Sequence, residues 1–160
     1  MTPPHPIDVR IDDLSSEEVA ALVHEHVGGM LANSPPGHSF ALALEGLKRP
    51  DVTFWSAWRD NELCGCGALK ALGHAAGEVK SMRTRGAFLR QGVGQAVLDE
   101  IVLTATARGY SRLLLETGTG EAFAAAHALY LRNGFAWCGA FGDYEASEFN
   151  VFMEKRLALA

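Results

Sequence analysis

The sequence predicts a mixed α/β (α+β) fold, with a central, mostly antiparallel sheet of about six to seven strands flanked by about four helices. Three observations carry this. Between residues 52 and 84, three runs rich in strand-forming residues are separated by short turn sequences, the pattern of consecutive antiparallel strands. A glycine-bearing loop then opens an apolar-periodic helix that leads to a further strand, and strand, helix and strand in series imply a right-handed crossover between parallel neighbours. At 160 residues, with 48% hydrophobic and 21% charged, the chain has the size and composition of a single globular domain over residues 1–160.

Ile7 to Ile11 alternates apolar and polar residues and reads as a half-buried strand. Ser15, with Glu18 three residues on, forms a capping box opening a helix that carries Val19, Leu22, Val23 and Val27. Pro35-Pro36-Gly37 ends it. Residues 33–50 then hold an apolar patch that fits a short helix, and long connections of this kind are often binding loops. His38, Ser39 and Glu45 are therefore candidates to face a substrate, with a solvated connector as the alternative. Val52 to Trp58 is an aromatic-rich strand, Asp60-Asn61 a turn, and Leu63 to Leu72 the returning strand.

Gly73 to Gly77 makes the next turn, before the central strand Glu78 to Thr84. The following helix runs to about Ala107 and is capped by Gly109. Arg112 to Thr117 has the continuous apolar run of a buried strand. Ala122 to Arg132 is an alanine-rich helix stopped by Asn133-Gly134. Phe135 to Phe141 and Asn150 to Leu157 are the last strands, around a polar loop at Asp143 to Ser147. An exposed last strand and an aromatic hairpin leave room for a homodimer.

A net charge of −5 argues against nucleic acid as a partner. No apolar run reaches the roughly 18 residues of a membrane span, and the N-terminus lacks the basic and apolar regions of a secretory signal. Cys64 and Cys66, two apart in a strand, would point the same way and read as buried thiols in a reducing cytoplasm. No metal set emerges, because His24 and His26 fall on different helix faces.

The chemistry concentrates between residues 77 and 98. Arg83, Arg85 and Arg90 surround Gly92 and Gly94 at the start of the helix carrying Val93, Val97, Leu98 and Ile101. A helix N-terminus has unpaired N–H groups and partial positive charge, and glycines let an anion approach them; the stretch reads as a pyrophosphate cradle. Gln95 stands where a P-loop needs lysine, and a Rossmann fingerprint needs a small residue at Val97 and a tighter turn.

Leu89-Arg90-Gln91-Gly92-Val93-Gly94 resembles the coenzyme A loop of the GNAT superfamily of N-acetyltransferases, Gln/Arg-x-x-Gly-x-Gly/Ala, with Leu89 at the position usually basic or amide-bearing. Ala126, Leu129, Tyr130, Gly134 and Phe135 match its second recurrent stretch, Ala-x-x-Leu-Tyr-x-x-x-Gly-Phe. Within the superfamily, the Pro-Pro loop, Leu-Glu-Thr-Gly and Phe-Gly-Asp-Tyr are similar to small bacterial acetyltransferases of the YsnE type. Phe123 departs from the asparagine that many members carry there.

The resemblance implies a cytoplasmic enzyme that moves an acetyl group from acetyl-CoA to a primary amine of a small molecule. Backbone groups of Met82, Arg83 and Thr84 would hold the pantetheine, residues Leu89, Arg90, Gln91, Gly92, Val93, Gly94 and Gln95 the pyrophosphate, and Tyr130 would reach the sulfur. No enzyme nucleophile is required. The Met82 N–H would donate to the carbonyl oxygen, Tyr130 would act as acid, and Glu78 as base. By the two-residue period Glu78 shares a face with Met82, roughly 13 Å away, so it would act through a water relay; Lys80, between them on that face, could instead simply pair with Glu78. His38, Glu116 and Thr117 are the candidate acceptor contacts; His74, Glu116 and His127 are alternative bases. A non-catalytic acyl-CoA sensor and an acetylator of protein amines remain as other readings.

Overall fold

The computed structural model describes residues 5–24 and 44–158. Their order is β1 (Asp8–Ile11), a helix α1 described over residues 17–24, α2 (Leu44–Leu47), β2 (Val52–Arg59), β3 (Glu62–Gly73), β4 (Ala76–Thr84), α3 (Val93–Ala107), β5 (Arg112–Gly118), α4 (Ala124–Arg132), β6 (Ala136–Cys138) and β7 (Asn150–Arg156). The expected mixed α/β architecture is present. Seven strands form a sheet in the order β1-β2-β3-β4-β5-β7-β6, in which only β4 and β5 run parallel.

Turn chemistry sets the hairpins. Asp60 and Asn61 both have positive φ, giving the tight two-residue connection whose twist matches the strands it joins. His74 and Ala75 do the same between β3 and β4, so that turn is shorter than the Gly73 to Gly77 span expected, and β4 begins at Ala76. The helix cap also shifts by one: Val19 N–H donates to Ser16 Oγ at 3.2 Å, while Ser15 lies before it. β6 is three residues long rather than seven, because Phe135 turns inward onto the ring of Tyr130 and the chain leaves the sheet after Cys138. β7 is an interior strand between β5 and β6; the edges are β1 and β6, which removes the exposed last strand as an argument for a dimer.

The sheet is buried on both faces. Trp55, Leu69, Val79, Leu113, Leu115 and Met153 pack with α3 residues Val93, Val97, Leu98 and Ile101. Phe54, Leu63, Cys66 and Ala68 pack on the other side with Val19, Leu22, Val23 and Leu47. Cys64 and Cys66 sit in different clusters, contrary to the alternation expected, because the β2–β3 register shifts beside Trp58. Both thiols are buried and free.

A second bulge matters more. Cys66 pairs with Arg83 but Ala68 pairs with Lys80, so Ser81 and Met82 together oppose Gly67, and Ser81 takes a positive φ of 55°. At Gly67 β3 packs closely against α3. A Cβ there would lie 2.5 Å from Val97 Cγ1 and 2.6 Å from Met82 Sδ. Gly67→Val is expected to destabilise the fold by about 1–3 kcal/mol through overpacking, read as a lower urea midpoint at unchanged slope. An unmoved midpoint would show that this contact gives way freely.

Candidate active site

β4 and β5 pair only at Ala76–Arg112, Gly77–Leu113 and Glu78–Leu114. Beyond Glu78 they separate, and the slot between them runs toward the N-terminus of α3. There Gly92 adopts φ 84°, a left-handed conformation that suits glycine. The helix ladder starts with Ala96 N–H to Gly92 O at 3.0 Å, so the N–H groups of Val93, Gly94 and Gln95 have no carbonyl partner among the described residues. Gly94 keeps this end open: a Cβ there would come within 3.2 Å of Leu129 on α4. Leu89 and Arg90 are exposed beside it, Arg90 with φ 61°. Unpaired N–H groups, a glycine opening and an exposed arginine together fit a diphosphate.

Not every expected group is available to it. Arg85 donates to Leu63 O at 3.1 Å and ties the loop to β3. The Gln95 amide is engaged with Asn133 in both directions, at 2.8 and 2.9 Å, which fastens the first turn of α3 to the end of α4. Gln91 accepts from Arg59 of β2 at 2.6 Å, a basic residue that sequence reading did not connect with this loop. Phe123 lies against Gly118, so tightly that a Cβ there would meet the ring at 2.3 Å; it packs where an asparagine would reach out.

The other side of the sheet holds a charged cluster. Glu78 and Lys80 are both buried, with Lys80 Nζ 3.0 Å from Glu78 Oε2. Tyr144, from the loop between β6 and β7, donates its hydroxyl to the same carboxylate oxygen and accepts from Lys80 at 2.7 Å. The ion pair left open by the sequence is therefore formed, with Tyr144 as a third member. Glu116 shares this face: Leu114 is the register partner of Glu78, and Glu116 stands two residues further along. Thr117 is turned to the opposite face and buried, so it does not stand with Glu116 before an acceptor.

Burial pushes the Glu116 carboxyl up to about 7, the Glu78 charge adding to it while the Asn150 amide and Lys80 oppose it. Burial also raises the Tyr144 hydroxyl, helped by the negative charge of Glu78. A pocket of about 290 Å³ lies beside the cluster, between β3, β4 and the 141–144 loop. Asn150 fixes that loop, donating to Glu145 O and accepting from Ser147 N and Oγ.

The Ser81 bulge changes one expectation. Met82 points toward Gly67, Val97 and Ile101, on the α3 side, whereas Glu78 and Lys80 face the pocket. Their side chains are thus on opposite faces, since an extra residue breaks the two-residue period. Tyr130 is buried in the α3-side core, its ring 5.5 Å from that of Phe135, and burial raises its hydroxyl pKa. His127 contacts Gly118 O at 2.9 Å and stacks edge-on against Trp137, away from the carboxylates. His74 sits in the β3–β4 turn. His38 and Ser39 lie outside the described residues, as does the side chain of Glu45. The Phe-Gly-Asp-Tyr stretch, two aromatics in a polar loop, was the available signal for Tyr144.

Residues 19–135 match the family model described as the acetyltransferase (GNAT) family. The chain is 49% identical over 149 residues to the N-acetyltransferase YsnE of Bacillus subtilis, covering 93% of this chain and 99% of that one. It is 46% identical to the N-acetyltransferase YedL of Escherichia coli, covering 93% and 94%. A Klebsiella pneumoniae structure named as an acyl-CoA N-acyltransferase superposes with a TM-score of 0.77 at 26% identity, covering 95% of this chain and 98% of that one.

The raised Glu116 pKa has a sign that stability measurements can read. Between the ordinary carboxylate value of 4.5 and about 7, the folded chain holds a proton that the unfolded chain releases, so this residue makes stability fall as pH rises through that window. Glu116→Gln is expected to flatten that part of the profile. A variant profile parallel to the parent's from pH 4.5 to 7 would show that Glu116 titrates normally.

Proposed function

This chain belongs to the GNAT acetyltransferase family and uses acetyl-CoA as its acyl donor; from that premise we propose that it acetylates the primary amine of a small molecule by direct attack in a ternary complex. The observation that carries this reading is the pair of carboxylates, Glu78 and Glu116, where β4 and β5 part beside a pocket of about 290 Å³. That volume lies at the small end of the roughly 300–1,000 Å³ range of small-molecule sites, which favours a compact acceptor over a protein segment.

Bound acetyl-CoA supplies the electrophilic carbonyl, so the chain needs no nucleophile of its own. In our reading the N–H groups at residues 91–95 take the pyrophosphate, flanked by Leu89 and Arg90, and the backbone of Met82, Arg83 and Thr84 takes the pantetheine. The Met82 N–H donates where carbonyl charge grows. An alkyl ammonium ionises near pH 10, so it must surrender a proton before it can attack. Glu78 is the assigned base, with Glu116 on the same face able to share the proton through water. Tyr130, kept protonated by burial, is the assigned donor to the departing sulfur. A domain that only sensed acyl-CoA would have no use for this proton-handling pair.

Thermal unfolding with acetyl-CoA, CoA, NAD and ATP tests the donor site. A ligand at 100 times its dissociation constant stabilises by about 2.7 kcal/mol, and only the two CoA species are expected to raise the midpoint. No shift with either would sink the reading. Tyr130→Phe is expected to lower kcat by about 100-fold or more while keeping the acetyl-CoA shift. An undiminished kcat would remove Tyr130 from the chemistry.

A further inference from the structure

The charges around the acceptor pocket are not all paired with one another, and their placement narrows the acceptor further than a primary amine. Lys80 is neutralised by Glu78 and Tyr144. Lys70, on β3, is the register partner of Glu78 and lines the same pocket. It is half-buried, and its ammonium makes no ion pair or hydrogen bond among the described residues. The apolar stem of Lys70 lies along the wall with Leu72, while Phe141 and Tyr144 form an aromatic wall on the loop side, their rings 5.2 Å apart. Asp143 is at the rim and exposed.

We propose that the acceptor is an amino acid with an apolar or aromatic side chain. Its amine faces Glu78 and Glu116, its carboxylate pairs with Lys70, and its side chain lies against Phe141 and Tyr144. The inference rests on the acetyl-transfer reading and adds the acceptor's chemical class to it.

The geometry selects this class in two ways. Directly opposed residues on antiparallel strands have Cα atoms about 4.5–5.5 Å apart, so the cation of Lys70 and the carboxylate of Glu78 arise from neighbouring points. A ligand that meets both must carry its amine and its anion a few bonds apart, as an amino acid does. The small volume and aromatic wall then leave room for one side chain of moderate size. A simple amine would leave the half-buried Lys70 charge without a counterion, and a polyamine would bring a second cation to it.

Matched pairs separate these cases: L-phenylalanine against phenethylamine, and L-leucine against isoamylamine, each followed by thiol release from acetyl-CoA. The amino acids are expected to have the higher kcat/KM, by about tenfold or more, as suits a hydrogen bond between charged groups. Lys70→Met is expected to erase that preference by raising KM for the amino acids, and Lys70→Arg to restore most of it. Equal or better turnover of the decarboxylated amines, or a Lys70→Met chain with its preference intact, overturns the proposal. Acetyl-CoA stabilisation without turnover of any amino acid overturns the acceptor class and leaves the donor site standing. Absence of acetyl-CoA stabilisation overturns both. The comparison of matched pairs uses the parent chain alone, so it holds even if a Lys70 variant folds poorly.

Discussion

Everything at the site depends on two parallel strands that stop pairing. β4 and β5 share three register positions and then diverge, although each continues for several residues. Backbone N–H and C=O groups facing such a gap have to be satisfied by something other than the neighbouring strand. The gap is not fraying, because each strand is held from its outer side. β3 pairs with β4 as far as Thr84, and β7 pairs with β5 along all seven residues from Arg112 to Gly118. A rigid slot with backbone walls results, open at one end to the first turn of α3.

The same separation explains the electrostatics. Strands that diverge inside a sheet covered on both faces leave room for side chains that are neither packed as core nor fully hydrated. Glu78 occupies that space with dedicated partners, a lysine two residues away and a tyrosine hydroxyl. Glu116 has less compensation, and its carboxyl is pushed toward neutrality by burial and by Glu78. Glu116 is met by an amide where Glu78 has a cation at 3.0 Å, and at Glu116 burial outweighs that compensation.

Much of this was legible in the sequence, for identifiable reasons. Alternation and turn residues gave the strands, the 3.6-residue period gave α3, and Gly92 with Gly94 marked the anion end of that helix. The crossover from β4 through α3 to β5 followed from strand order alone. What escaped depends on long-range pairing. Ser81 carries no side-chain signal for a left-handed conformation, so the bulge and its reversal of Met82 were invisible. Tyr144 is 66 residues from the glutamate it contacts. The interior position of β7 was hidden too, since chain order does not show that β6 folds back outside it.

The Ser81 bulge also says how this strand can change over time. It is one surplus residue set between two in-register stretches, Gly65 to Cys66 with Arg83 to Thr84 and Ala68 to Ala71 with Gly77 to Lys80. Losing one residue from β4 would make the strand regular while leaving its composition nearly unchanged. Met82 would then stand alone opposite Gly67, still on the α3 side, and Arg83 and Thr84 would keep their present partners. What the surplus residue adds is therefore local: an unpaired peptide and a left-handed kink at Ser81, set into the strand without altering which side chains the rest of it presents.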